Sequence, residues 1–330
     1  MKNDSKTPQT LQEAIIYFAN PDHCLEYLAN KRWPDGVWCP TCGRTDVSFL
    51  AKQKKWQCKS RHDHRQFSVK VGTCFEDSPL GLEKWLPAAW MLGNCKNGVS
   101  SYELAKALGV TQKTAWFMLH RIRLAMQRGS LMKIGGGGSP VEVDETYIGG
   151  KARNMHKSRK VRVQMCGRST GNKAVVMGML ERKGEVRTEV FPIPRREKKM
   201  MDDAIHEHIT SGAHVITDDF VNYQGLSPEY MHEVINHLEG YVRGHIHTNG
   251  IENFWSLLKR GLHGTYVSVE PFHLFRYVDE QAFRYNNRGG KKRADRITDA
   301  DRFNKVLSNI VGKRLTYAEV TGKVGETAIN

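Results

Sequence analysis

The stretch His247–Leu262 (HTNGIENFWSLLKRGL) constrains the fold more than any other part of the chain. Ile251, Phe254, Trp255, Leu258 and Leu262 fall at i, i+3, i+4, i+7 and i+11, the buried stripe of a helix. Beside that stripe run Glu252, Ser256 and Lys259, at i, i+4 and i+7. Such a helix is anchored in a core and presents a carboxylate and an amine two turns apart, which suits a divalent cation and a phosphate chain. A plainer reading is also open, in which Asn249 caps the helix and Glu252 closes a capping box. The choice turns on whether other carboxylates of the chain can meet Glu252.

With 330 residues the chain is long enough for two or three domains. Lys and Arg outnumber Asp and Glu by 50 to 35, a formal charge of +15. That excess favours a polyanionic partner, nucleic acid before an acidic membrane. No apolar run reaches membrane-spanning length, and the opening MKNDSKTPQT lacks the apolar segment of a secretory signal. A soluble, cytoplasmic chain is therefore expected.

Cysteines are too few and too clustered for a disulfide scaffold. Cys39-Pro-Thr-Cys42-Gly is a knuckle that aims two thiolates at one ion, and Cys58 follows after fifteen intervening residues. The expected second CxxC is replaced by Cys58-Lys-Ser-Arg-His62-Asp-His64. Cys39, Cys42, Cys58 and one imidazole would close a tetrahedral zinc site, with His62 preferred to His64 because its spacing lies nearer the usual knuckle. Segments 47–50, 55–57 and 66–71 supply the short strands of a zinc ribbon over residues 37–80, after a helical lead-in at 1–36 with a break near Pro21. Cys24, Cys74 and Cys95 read as ordinary buried thiols.

Residues 81–128 are helical. Within them Ser100 or Ser101 caps one helix, Gly109 makes a turn and Thr111 caps a second, which is the layout of a helix-turn-helix. Gln112, Lys113, Arg121 and Arg123 are expected to face outward from the second helix toward DNA. Residues 129–140, with four consecutive glycines and then Ser-Pro, read as a linker. Beyond it the pattern turns to strands. Residues 140–150 alternate, with Val141, Val143 and Glu145 on one side and Glu142 and Asp144 on the other. Strands over 173–182 and 185–193, a helix over 198–209 and a strand over 214–219 follow, and then the Glu252 helix. Strand, strand, strand, helix, strand, helix is the ribonuclease-H-like order. The expected architecture is thus a multi-domain α+β chain, a zinc ribbon and helix-turn-helix followed at 141–288 by an α/β domain whose mixed sheet is flanked by helices. Residues 289–330 are expected to form a basic tail.

The blocks VDETYIGGK (143–151), ITDD (216–219), HTNGIENFWSLLKRGLHGTY (247–266) and FRYNNR (283–288) resemble bacterial insertion-sequence transposases of the DDE class. More narrowly they are similar to the ISXO-like subgroup, whose members carry an amino-terminal zinc ribbon. CPTCG, QFSVKVGT (66–73) and the helix-turn-helix share the likeness, which runs from about Trp33 to Arg288. It implies Asp144 as the first catalytic carboxylate, Asp218 rather than Asp219 as the second, and a third group from the Glu252 helix. Some subgroups are described with Asn in third place, so Asn249 and Asn253 stay open beside Glu252, and Lys259 matches the helix lysine of related transposases.

Three oxygen-bearing side chains gathered at one sheet end repel one another unless Mg²⁺ or Mn²⁺ neutralises them. Two such ions about 4 Å apart can activate a water or a 3′-hydroxyl and stabilise a leaving 3′-oxygen. The implied reaction is cleavage at the element's terminal repeats, then strand transfer into target DNA. Double-stranded DNA is the implied partner, with a homo-oligomer assembled on it. Lys259, Arg260 and the basic stretches at 151–162 and 288–296 would grip the DNA backbone.

Overall fold

The computed structural model describes residues 7–127, 132–149, 173–191, 198–219, 223, 225–226, 228–235, 247–289 and 296–323. The chain divides into two compact units, one made of residues 1–127 with 287–330, the other of residues 128–286. Among the described residues no helix is long and apolar enough to cross a membrane.

In the first unit, Pro21 falls at the start of the second of two short helices, α1 (Leu11–Phe18) and α2 (Pro21–Arg32). Proline there costs no hydrogen bond, and Thr10 and Asn20 cap the two helices through their side chains. The ribbon follows as the antiparallel strands β1 (Val47–Leu50), β2 (Lys55–Cys58) and β3 (Gln66–Phe67). Next come α3 (Leu82–Asn94), α4 (Ser101–Leu108) and α5 (Gln112–Met126). Ser100 and Glu103 form a capping box on α4, Gly109 closes it at φ +63, and Thr111 caps α5.

The last part of the chain is built into this unit. Helix α9 (Asp299–Ser308) inserts Phe303, fully buried, between Phe18 and Trp90, with ring centroids 5.6 and 5.0 Å away. Gly312 N–H donates to the Gly72 carbonyl at 2.8 Å, fastening the segment to the end of the ribbon. The amphipathic spacing of Ala300, Phe303, Val306 and Leu307 makes this a core helix rather than a tail.

Arg121 and Arg123, expected to face DNA, are instead 3% and 1% exposed. Helices α3, α4 and α9 all pack on α5, leaving its carboxyl-terminal half little free surface. The Arg121 guanidinium lies over the rings of Trp85 and Phe117, at 5.2 and 5.4 Å, and donates to the Glu76 carbonyl. It is a structural cation held by π faces and a carbonyl. Lys113 is exposed and Gln112 half-buried at the amino end of the same helix.

In the second unit, β4 (Val141–Ile148), β5 (Ala174–Glu181), β6 (Val186–Phe191), β7 (His214–Asp218) and β8 (Met231–Ile235) form a sheet of order β6-β5-β4-β7-β8. The first three strands are a meander, while β7 runs parallel to β4 and β8 parallel to β7. This mixed sheet with helices on both faces is consistent with the ribonuclease-H-like arrangement. One face, carrying Val141, Val143, Val175, Met177 and Val215, packs on α6 (Lys198–His208) through Met201 and Ile205. The other, carrying Ala174, Val176 and Leu180, packs on α7 (Asn249–Gly261) and α8 (Leu274–Asn286). The glycine run is part of this unit from Ile134 onward. Ile134 bridges to Ile209 and joins the α6-side core, and Gly135, at φ +85, sits where a Cβ would meet that of Ala213 at 2.7 Å.

Helix α7 lies so close to the sheet that Gly178 of β5 faces it directly. A Cβ there would meet Ile251 Cδ1 and the Trp255 ring at 2.7 Å. Gly178→Ala is therefore expected to cost about 1–3 kcal/mol by overpacking a rigid indole, measured as a lower midpoint in thermal or urea unfolding, whereas Gly264→Ala, with open space around it, leaves the midpoint in place.

Candidate active site and zinc cluster

Cys39 and Cys42 lie on the first knuckle, Cys58 ends β2, and His62 stands in the turn before β3. Their ligand atoms all fall within 4.8 Å of one another. Cys39 Sγ is 3.5 Å from His62 Nε2, and Cys42 Sγ is 3.6 Å from Cys58 Sγ. Zinc–sulfur bonds of about 2.3 Å in a tetrahedron give edges of roughly 3.8 Å, so the cluster fits Zn²⁺. His62 Nδ1 donates to the Asp63 carbonyl at 2.5 Å, which fixes the tautomer that frees Nε2 for the metal. The hydrogen bond from His62 also draws the Cys58 thiol down to about 6. His64 is exposed, at φ +59, and is not part of the cluster. Cys24 and Cys74 are fully buried, and that burial pushes both thiols up to about 12, as befits inert core residues.

The second constellation is centred on β4. The parallel register with β7 pairs Val141 with Val215 and Glu142 with Ile216, and two residues further on it brings Asp144 level with Asp218. Strand alternation then turns both aspartates to the α7 face of the sheet. Asp144 accepts hydrogen bonds from Trp255 Nε1 at 2.9 Å and from the Glu145 amide at 2.8 Å. Burial, with the charges of Asp218 and Glu252 adding to it, raises its carboxyl to about 6. Asp218 and Glu252, from a second strand and a helix, thus act on Asp144 through space. Asp219 is exposed on the other side of the strand end.

Glu252 is not the capping residue that its spacing from Asn249 allows. The N-cap is Thr248, and its hydroxyl makes no cap bond to the backbone. It donates instead to Glu252 Oε1 at 3.1 Å. Asn249 is exposed at the first helical position, and Lys259 and Arg260 are exposed in the last turn. The basic stretch at 151–162 and most of 288–296 lie outside the described residues.

Two further residues at this site escape a reading of the sequence by motif. Glu142, 1% exposed, accepts from the Ile251 amide at 2.9 Å and pairs with Arg182 Nε at 2.8 Å. Arg182 in turn donates to the His247 carbonyl at 2.7 Å. The alternation of β4 places Glu142 on the face of Asp144, but its partners come from another strand and from the α7 amino end, so only the assembled sheet reveals them. On the opposite face Glu145 accepts from the Tyr223 hydroxyl at 2.6 Å.

Both sites make measurable predictions. His62→Ala should lose bound zinc and loosen the ribbon, whereas His64→Ala keeps one zinc per chain, as read by metal analysis after dialysis. For Asp144, the folded carboxyl titrates near 6 against 3.8 for the free group. The folded state therefore binds the extra proton between those values, and stability falls as pH rises through that window. Each tenfold difference in proton affinity between the folded and unfolded states is worth about 1.4 kcal/mol. The stability difference between Asp144→Asn and wild type should then move by up to about 3 kcal/mol in the variant's favour between about pH 4 and 7. Unfolding in buffer free of Mg²⁺ and Mn²⁺, with zinc retained, measures it.

Comparison with known proteins places this geometry. Residues 135–286, essentially the second unit, match the ISXO2-like transposase domain, and residues 19–63 match the transposase zinc-ribbon domain. An uncharacterized protein in transposable element ISH50 of Halobacterium salinarum is 29% identical over 262 residues, covering 75% of this chain and 85% of its own. Among solved structures, a chain of the simian T-cell lymphotropic virus intasome in complex with PP2A regulatory subunit B56 gamma shows 16% identity over 64% of this chain and 70% of its own. Its TM-score is 0.30. Sheet order, Cys3His cluster and the two domain matches agree: the chain belongs to the ISXO2-like transposases with an amino-terminal zinc ribbon.

Proposed function

We propose that this transposase binds the terminal repeats of its element and catalyses metal-dependent cleavage and strand transfer with Asp144, Asp218 and Glu252. The observation that carries the reading is the setting of Asp144, a carboxyl raised first by burial and further by two carboxylates brought from β7 and α7. Like charges gathered in this way suit a divalent cation, and an all-oxygen donor set favours Mg²⁺ or Mn²⁺ over zinc. These three side chains would hold the metal, which would supply Lewis acidity toward phosphate oxygens and toward the attacking oxygen.

The protein's own contribution is placement. Trp255 fixes the rotamer of Asp144, Thr248 orients Glu252, and β7 sets Asp218 level with Asp144. Lys259 and Arg260, exposed on α7 beyond Glu252, are positioned to take phosphate oxygens of the DNA strand. In the amino-terminal unit, Lys113 and Gln112 at the start of α5 replace the buried Arg121 and Arg123 as the side chains offered to DNA. Because joining an element requires both of its ends, the working form is a homo-oligomer on double-stranded DNA.

The test is strand transfer of a labelled duplex carrying the element's terminal repeat, with Mg²⁺, comparing wild type with Glu252→Ala and Asn249→Ala. Glu252→Ala should lose joining by on the order of 10³-fold or more, the scale of removing one member of a catalytic unit, while still binding the end. Asn249→Ala should join. A dead Asn249→Ala beside an active Glu252→Ala would make the amide the third group. Wild type that binds ends but never joins them would leave a DNA-binding protein without activity.

A further inference from the structure

The start of α7 has an unusual division of labour. A helix normally satisfies its first free amides with the side chain of its own N-cap residue. Here the N-cap hydroxyl, Thr248 Oγ1, is turned to Glu252 and makes no cap bond. The amide it would serve, that of Ile251 at the third helical position, is taken by Glu142 of β4. The chain has thus lent its own cap to the carboxylate proposed to be catalytic, and a distant strand supplies the replacement.

The replacement is anchored on three sides. One Glu142 oxygen receives the Ile251 amide, the other pairs with Arg182 at the end of β5, and Arg182 also holds the His247 carbonyl just before the helix. His247 Nδ1 stands 3.5 Å from the same carboxylate. Space has been cleared for this contact. A Cβ on Gly250 would meet Glu142 Oε2 and Leu180 Cδ2, each at 2.7 Å. A buried carboxylate is costly unless it is paired and fully hydrogen-bonded. A local Ser, Asp or Asn cap would have ended the helix at less expense, so stability alone does not explain Glu142.

We propose that Glu142, clamped by Arg182, is a positioning residue that sets the register of α7 against β4 and thereby places Glu252, held by a Thr248 hydroxyl freed from capping, within reach of Asp144. The inference rests on the reading of the acid site given above. Two residues along β4 separate Glu142 from Asp144, and four residues along α7 separate Ile251 from Trp255, the groups they hold. Those spans are roughly 6.7 Å on a strand and about 6 Å on a helix, so one strand grips one helix at two matched points. Losing the Glu142 point leaves α7 free to pivot about Trp255 and carries Glu252 out of place.

The experiment uses the full chain with its zinc retained. Mn²⁺ alone is titrated by electron paramagnetic resonance, and strand transfer of the terminal-repeat duplex is timed in parallel, with melting and end binding as controls. Glu142→Ala, Glu142→Gln and Thr248→Val are compared with wild type and with Asp144→Ala. Glu142→Ala should weaken Mn²⁺ binding by about 10-fold or more and slow strand transfer by on the order of 10²-fold, with end affinity unchanged. Glu142→Gln keeps an acceptor for Ile251 but loses the ion pair, so it should fall between, and it serves if Glu142→Ala does not fold. Thr248→Val, which leaves the Glu142 cap intact, should weaken Mn²⁺ with little change in melting temperature. If the Glu142 variants melt earlier yet match wild type in Mn²⁺ midpoint and rate while Asp144→Ala loses both, Glu142 is only a structural cap and the inference is overturned. If Asp144→Ala also matches wild type in both, the acid site itself is misassigned and the inference falls with it.

Discussion

The second unit depends on the way one strand holds one helix. Glu142 and Asp144 share the face of β4 that looks at α7, and each accepts a hydrogen bond from that helix, one from the backbone and one from an indole. Between and around those points the contact is apolar, Ile251 and Trp255 lying against Gly178 with no room for a methyl group. Polar contacts fix register and apolar ones supply most of the burial energy, a division expected when a helix must be located rather than merely attached. With α7 fixed, Glu252 and Lys259 have set positions, because they sit on the exposed side of the same rigid element.

That arrangement sets stability against readiness. Asp144 is buried enough to be raised to about 6 and lies in the field of two further acids. Without a counter-ion, the second unit carries at neutral pH a carboxylate whose ionised form burial makes less favourable than in water. The donors from Trp255 and Glu145 keep that carboxylate ordered and partly compensated, so the strain is held in place rather than relaxed by rotation. In the first unit the Cys3His cluster solves the opposite problem. A ribbon of three short strands buries too little apolar surface to stand alone, and a metal crosslink substitutes for a core.

Much of this was legible in the chain. The apolar stripe of α7, the alternation of β4, the three-strand meander and the spacing of Cys39, Cys42, Cys58 and His62 are local periodicities, and local periodicity survives into the structure. What could not be read were choices made by tertiary neighbours. Arg121 and Arg123 look outward on an isolated α5 but are covered once α3, α4 and α9 pack against it, and α9 comes from nearly two hundred residues further along. The glycine run has the composition of a linker, yet Ile134 and Gly135 are drawn into the sheet unit because the edge beside Ala213 leaves room only for glycine. Strand β8, an edge strand of five residues with one buried position, carries too weak an alternation to announce itself.

The hardest feature to foresee was the exchange of partners at the start of α7, and its logic is physical. Spacing alone offered Asn249 and Glu252 as a capping box, because capping is the commonest reason for an acid near a helix start. A carboxylate committed to backbone amides has few lone pairs left for anything else. An acid that must stay available needs its helix capped by something else, and the cap must come from an element already fixed in place. A buried acid on the neighbouring strand, neutralised by an arginine from the strand beyond, meets both demands. The sequence mark of such an exchange is an acid at an inward position of a strand, two residues from a second acid on the same face, together with a glycine at the second position of the helix that crosses it. In this chain those are Glu142, Asp144 and Gly250.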